Sequence, residues 1–336
     1  MKNYHIPIFV PHKGCPHDCV FCNQRQITGQ AEDTKPEEVK NIIENYLTTM
    51  TGDYYAEVAF FGGSFTGIDI KLQKDLMEAA YPYVKSGKIH GIRCSTRPDY
   101  ITTDILDNFQ KYGGRCIELG VQSTDPDVLQ NSRRGHSFND VLKASEMIKK
   151  RGIDLGVQMM LGLPGDTREK MIKTASDLIS LNPKCVRIYP TLVVADTALS
   201  VMCQNGKYNP MTVEEAVDVL AIVIPMFKKA GVDVIRVGLQ TTDDINESTV
   251  KGPYHAAIKE LAEGRIVRNV IGEHIKDKNA SLEVICHPSR VSVTVGHKGC
   301  NKAYFKENHN LSLLVKTSKD IGPDELKIYD KIIAFY

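Results

Sequence analysis

Short runs rich in Val, Ile and Phe alternate along this chain with longer segments whose apolar residues recur every three to four positions. The runs HIPIFV (5–10), AEVAFFGG (56–63), GIRCSTRP (91–98), RCIELGVQS (115–123), IDLGVQMMLGLPG (153–165), KCVRIYPT (184–191) and VDVIRVGL (232–239) predict strands. Between them, 35–50, 71–84, 102–113, 137–152, 167–181 and 212–231 carry helical periodicity. Thr34 or Asp33 is a candidate cap for the first helix.

Six consecutive strand–helix units plus one further strand call for a parallel sheet covered by helices, with right-handed connections. That is too many units for a small open sheet. The expected fold is α/β, an incomplete (β/α)6-type TIM-like barrel over residues 1–240, with its site at the C-terminal ends of the strands. A helical connector over 241–275 and a small C-terminal α+β extension over 276–336 would follow. In the extension SLEVICHP, VSVTVG and LSLLVKTS read as strands, and KGCNKAYFKEN as a helix after the second.

Charge changes this picture little. Lys plus Arg number 42 and Asp plus Glu 41 among 336 residues, so bulk electrostatics do not argue for nucleic acid, although a local basic patch remains open. No apolar stretch is long enough to span a bilayer. Pro7 and Pro11 break the apolar N-terminus, which does not resemble a secretory signal. A cytoplasmic protein without a membrane partner is expected. There, nine cysteines point to metal binding or free thiols rather than disulfides.

Three of those cysteines gather after the first strand, in CPHDCVFC: Cys15, Cys19 and Cys22, spaced C-x3-C-x2-C, with Phe21 before the last. Structural zinc takes four ligands, and His17 inside the loop is a candidate fourth. The other reading is an iron–sulfur cluster on three thiolates, with one iron open to a ligand.

On this loop and the strand order, residues 5–240 resemble the radical S-adenosylmethionine (SAM) superfamily. The resemblance implies a [4Fe–4S] cluster on Cys15, Cys19 and Cys22, with SAM chelating the fourth iron. It implies reductive cleavage of SAM to a 5′-deoxyadenosyl radical that takes hydrogen from a substrate, an external electron donor, and Phe21 beside the adenine. A closed cavity would keep such a radical from water.

The strand ends carry matching polar and glycine motifs. FFGGSFTG ends the second, where the resemblance implies that Gly62, Gly63 and Ser64 meet the SAM amino group, with Ser64 replacing the usual acidic residue; the glycines would admit a close ligand. CSTRPD ends the third, with Ser95 as a cofactor contact and Arg97 placed for a carboxylate or phosphate. IELGVQS ends the fourth, with Glu118, Gly120 and Gln122 on one face. Buried polar groups there need partners, and SAM's amino and ribose groups are suitable ones. RRGH follows, offering Arg134 or His136 to SAM's carboxylate or to substrate. Gln158 and Leu163 on the fifth and Tyr189 on the sixth complete the cofactor candidates, and RVGLQ closes the series.

STRPDY, ELGVQS, RRGH, GLPGDT and RIYPTLVV are similar to the radical SAM portion of the elongator catalytic-subunit family. Those proteins modify the wobble uridine of tRNA and carry an acetyltransferase domain. The tail here is too short for that domain, so a stand-alone, elongator-like enzyme is expected. No second C-x2-C is present, which disfavours methylthiotransferase chemistry. In GHKGCNK (Gly296–Lys302) a G-x-x-G follows what reads as a strand and opens a helix. A helix start can hold phosphate, and KH modules clamp nucleic acid with a GXXG loop, although theirs joins two helices. Lys298, Lys302, Lys306 and Tyr304 suit RNA or an ordinary solvated face. Three functions stay open: a radical SAM enzyme on RNA, tRNA foremost, reached through the extension; one on a small molecule or peptide; and a non-catalytic zinc or iron–sulfur protein.

Overall fold

A computed structural model of the chain describes residues 2–10, 19–23, 34–239, 249–275 and 281–336. Seven parallel strands form one sheet: β1 (Lys2–Val10), β2 (Tyr54–Gly62), β3 (Gly91–Thr96), β4 (Gly114–Gln122), β5 (Asp154–Leu161), β6 (Cys185–Pro190) and β8 (Asp233–Val237). They pair in the order β1-β2-β3-β4-β5-β6-β8, with β1 and β8 as the edges. The sheet curls into a half-barrel, as the strand–helix alternation demanded.

Helices α1 (Pro36–Thr49), α2 (Ile70–Lys85), α3 (Thr103–Lys111), α5 (Phe138–Lys150), α6 (Arg168–Ser180) and α8 (Val213–Lys229) cover its convex side. Alternate strand residues explain why. Ile6, Ile8 and Val10 of β1, Val58 and Phe60 of β2, Val157 and Met159 of β5, and Val186 and Ile188 of β6 are buried in one core with Val39, Leu76, Leu106, Ile148, Leu178 and Leu220 of the helices. A sheet with one face under helices keeps a period of two, and the opposite positions are left for other chemistry. Helix starts are fixed by side-chain caps: Asp69 for α2, Thr102 for α3, Thr167 for α6, and capping boxes Ser137/Asp140 and Thr212/Glu215 for α5 and α8. Two short helices that the periodicity did not signal, α4 (Pro126–Asn131) and α7 (Ala198–Gln204), sit in loops at the mouth of the barrel. A small ribbon of β7 (Val193–Val194) and β9 (Thr249–Lys251) accompanies α7.

Helix α9 (Ile258–Glu273) joins the barrel to the C-terminal unit. Arg265 on α9 pairs with Glu214 and Asp218 of α8. The unit contains β10 (Ser281–Cys286), α10 (Val291–Val295), α11 (Cys300–His309), β11 (Ser312–Thr317), β12 (Glu325–Ile328) and β13 (Lys331–Ala334), with sheet order β11-β10-β12-β13. Here the sequence reading needs correction. VSVTVG is a helix, not a strand. Val293 and Thr294 are buried, and Thr294 Oγ1 donates to Arg290 O one helical turn back, at 2.9 Å. Packing overrides the strand preference of its β-branched residues. The short strands β12 and β13 went unread. Arg290 clasps the unit to α9 by donating to Glu263 at 2.9 Å, Asp324 at 2.7 Å and the Pro323 carbonyl at 2.7 Å.

Among the described residues, no helix is long and apolar enough to cross a membrane.

Candidate active site

The cysteine loop after β1 is described from Cys19 to Asn23; Cys15 and His17 lie outside the described residues. Cys22 N donates to Cys19 O at 3.0 Å, closing a turn between the two cysteines. Val20 anchors the turn. Its N–H donates to Ser132 O at 3.2 Å, and its carbonyl accepts from Leu199 N at 2.7 Å. Its side chain packs with Val193, Leu199 and Tyr208, with Phe21 and Met202 against them, in a cluster separate from the barrel core. The thiols therefore stand on a packed base.

Arg134 reaches this loop from the segment between α4 and α5. Its Nη1 donates to Cys19 Sγ at 3.2 Å and its Nη2 to Gly120 O at 2.5 Å. Its guanidinium lies 6.0 Å from the centre of the Phe21 ring. The sequence reading gave Arg134 to SAM's carboxylate or to substrate, whereas its contacts here are a cysteine sulfur and a strand carbonyl. That contact places a cation at hydrogen-bond distance from the Cys19 sulfur.

Inside the barrel, charged residues step two positions along from strand to strand: Arg93 lies two past the partner of Glu57, Glu118 two past the partner of Arg93, and Arg187 two past Cys185, which Glu118 reaches in register through Gly156. Glu57 on β2, Arg93 on β3, Glu118 on β4 and Arg187 on β6 form a buried ladder. Arg93 bridges both acids: Nε donates to Glu57 Oε2 at 2.7 Å, and Nη1 to Glu118 Oε1 at 2.9 Å. Glu118 also accepts from Arg187 Nε at 2.5 Å, Arg187 Nη2 at 3.1 Å and Gln158 Nε2 at 3.2 Å. Gln158 Nε2 reaches Ser95 Oγ at 2.9 Å. Burial works to raise the Glu118 pKa, but Arg187 and Arg93 outweigh it and hold the carboxyl below its ordinary value. Gly156 makes room, since a Cβ there would sit 2.7 Å from Glu118 Cγ. His5, whose Nε2 is 3.7 Å from Glu57 Oε2, is pushed down to about 4 by burial and by Arg93 and Arg187. Arg187 also lies 4.7 Å from the centre of the Phe61 ring.

The structure accordingly supplies arginines where SAM was expected to satisfy Glu118. Other strand-end residues are similarly engaged. Gly62 takes φ 106°, and a Cβ on it would meet Val10 O at 2.6 Å, a close approach to β1. Gly63 N donates to the same carbonyl at 3.1 Å. Ser64 Oγ accepts from Arg97 N at 2.9 Å and bonds Thr96 Oγ1 at 3.1 Å. Arg97, expected to recognise a carboxylate or phosphate, holds Asp99 through two bonds of 2.9 and 3.0 Å and donates to Arg134 O at 2.6 Å. It positions the Arg134 segment. Gln122 sits on a bulge at φ 69°, with its Nε2 folded over Gly120, 3.2 Å from where a Cβ would lie. Leu163 is buried, and Tyr189 lies on the inner face, its phenol pushed up by burial against the pull of Arg187.

Several buried polar atoms at the mouth have no hydrogen-bond partner among the described residues: Gln122 Oε1, Arg134 Nε, both ring nitrogens of His136, and Thr191 Oγ1. Burial, then Arg134 and Arg97, push His136 down to about 3, so the ring is neutral. Buried polar groups left without a partner at the mouth call for an external one. A polar ligand bearing amino, carboxylate and hydroxyl groups fits them, and Cys19 and Cys22 beside a cation fit a thiolate-bound cluster.

Reading strand ends alone missed the ladder. Glu57, Arg93, Arg187 and, on β8, Arg236 are charges in mid-strand within apolar runs. That pattern was available as a signal, because a strand under helices carries a mid-strand charge only on its other face.

A sequence model of the Radical SAM superfamily matches residues 9–178, and one of the Radical_SAM C-terminal domain matches 183–268. The chain is similar to an uncharacterized protein of Methanocaldococcus jannaschii, 31% identical over 62% of this chain and 67% of that one. It is 32% identical to the tRNA uridine(34) acetyltransferase of the same organism over 64% of this chain, spanning 47% of that relative. Elongator complex protein 3 of Saccharomyces cerevisiae is 34% identical over 41% of this chain and 26% of its own length. The chain thus spans about half or less of these two functionally named relatives. Among solved structures, Elp3 of Methanocaldococcus infernus with an N-terminal deletion shares the fold, with TM-score 0.63 and 22% identity over 80% of this chain and 63% of that one.

Proposed function

Because the chain belongs to the Radical SAM superfamily, we propose that it is an enzyme that cleaves S-adenosylmethionine reductively to act on a base of tRNA. Its cofactors are a [4Fe–4S] cluster and S-adenosylmethionine. Cys15, Cys19 and Cys22 would hold the cluster; bound there, it would supply one electron to the sulfonium. The protein's own share is binding and exclusion. Arg134 steadies the Cys19 sulfur, Phe21 lines the same end, and Gln122, His136 and Thr191 offer unsatisfied polar atoms to the second cofactor. The barrel wall keeps water from the reacting centre. The contact of Arg134 with Cys19 carries this reading, because it sets a buried cation against the sulfur of one of the three clustered cysteines.

RNA as substrate draws support from the relatives that act on tRNA and from the C-terminal unit. GHKG joins two helices, α10 and α11, not a strand and a helix as the sequence suggested. The flanking strands β10 and β11 are adjacent and parallel. A GXXG loop between two helices is the arrangement with which KH modules grip nucleic-acid backbone. Gly296 and Gly299 both take φ 80°. A Cβ on Gly296 would strike Cys300 Sγ at 2.6 Å, whereas Gly299 faces open space. Lys298, Lys302 and Lys306 are exposed beside the loop, and Arg268 stacks 4.2 Å from the centre of the Tyr304 ring.

The test is anaerobic reconstitution, dithionite reduction and chromatography of SAM products, with and without tRNA. Wild type should form 5′-deoxyadenosine, and Cys15→Ala, Cys19→Ala and Cys22→Ala should not. The pair His297→Asp and Lys298→Asp should weaken tRNA binding severalfold at low salt. Bound zinc without SAM cleavage would refute the enzyme reading, and tRNA affinity untouched by the pair would refute the role of the loop.

A further inference from the structure

The ladder inside the barrel is balanced: Glu57 and Glu118 are matched by Arg93 and Arg187. Arg236 on edge strand β8 is a third guanidinium on the same face. Its Cα pairs with that of Arg187, just past a register shift between Val186 and Arg187. It acts electrostatically on His5 and Tyr189, both of which line the interior. It is half-buried and has no carboxylate partner among the described residues.

Like charges opposite each other on neighbouring strands are destabilising, and a half-buried guanidinium with no counter-charge among the described residues adds to that penalty. Arg187 gives no relief, since its Nε and Nη2 are already committed to Glu118. An arrangement that opposes folding stability at one position is expected where a ligand completes it. Arg236 is half-buried, whereas Arg93 and Arg187 of the ladder are buried.

We propose that Arg236 is an anion anchor on the inner face of β8 that takes a phosphate of the substrate, with the Tyr189 hydroxyl on the neighbouring strand as a second donor. A planar guanidinium offers paired N–H groups to two phosphate oxygens. Naming the phosphate as one of an RNA strand rests on the function proposed above; the anchor itself rests on the charge imbalance.

Arg236→Gln and Arg236→Lys separate these claims. Inorganic phosphate should raise the melting temperature of the wild-type protein and leave Arg236→Gln unmoved. Without phosphate, Arg236→Gln should melt at or above the wild-type temperature, because a repulsion with Arg187 is gone. For tRNA, Arg236→Gln should weaken binding roughly tenfold, and the slope of log affinity against log salt should fall by about 0.7. Arg236→Lys, which keeps the charge without the fork, should lie between. A phosphate effect that depends on Arg236 in a protein that binds no tRNA would uphold the anchor and sink the RNA reading. Equal tRNA and phosphate binding by wild type and Arg236→Gln would overturn the anchor and leave the RNA reading standing. A lowered melting temperature for Arg236→Gln without ligand would also overturn it, because Arg236 would then be a structural partner.

Discussion

Replacing Glu118 by Ala tests the account of the barrel interior most severely. The side chain is fully buried and accepts four hydrogen bonds, from Arg93, twice from Arg187, and from Gln158. Arg93 would keep Glu57, but Arg187 would lose its only carboxylate among the described residues. The penalty is therefore mainly that of one stranded buried guanidinium, roughly 3–5 kcal/mol. Domains are stable by about 5–15 kcal/mol in total, so the loss should be plain in urea unfolding of the metal-free protein under anaerobic conditions. The midpoint should drop with little change in slope. Removing Arg187 as well should recover part of the loss, since the stranded charge goes with it. A cycle of Glu118→Ala, Arg187→Ala and the double variant should show coupling of at least about 2 kcal/mol. A loss under about 1 kcal/mol for Glu118→Ala, or strict additivity, would refute the claim that the ladder is one charge-compensated unit.

Two more outcomes follow from the same geometry. His5 has its pKa lowered from 6.5 to about 4, so on acidification the unfolded chain takes up this proton before the folded one. Stability contributed by the neutral ring is whole above pH 6.5, falls by about 2 kcal/mol by pH 5 and stops falling below pH 4. His5→Gln should flatten that part of a plot of urea midpoint against pH, and an unchanged slope would mean that His5 titrates normally. Arg134→Met should remove the donor to Cys19 and shift the cluster's reduction potential to more negative values, read by electron paramagnetic resonance in a redox titration, because hydrogen bonds to cluster sulfur stabilise the reduced, more negative state. An unmoved potential would mean that the contact does not survive cluster binding.

The periodicity of the chain by itself determined the half-barrel. Strand and helix signals were strong because each strand buries one face against amphipathic helices, and strict alternation admits few topologies. The C-x3-C-x2-C spacing likewise singled out the loop after β1 without coordinates, since three thiols so close have few uses. Only the tertiary structure decided what the polar residues touch. Glu118, Arg97 and Ser64 were legible as unusual, but their partners lie on other strands or across a turn, and local sequence carries no record of register. Arg134 meeting Cys19, 115 residues away in the chain, is of that kind, as is Arg236 left without a carboxylate on the ladder. In the C-terminal unit the β-branched run VSVTV favoured a strand on local grounds, and long-range packing made it a helix. Short segments with weak intrinsic preference take the conformation that buries their apolar side, and which side that is depends on neighbours the local sequence does not name.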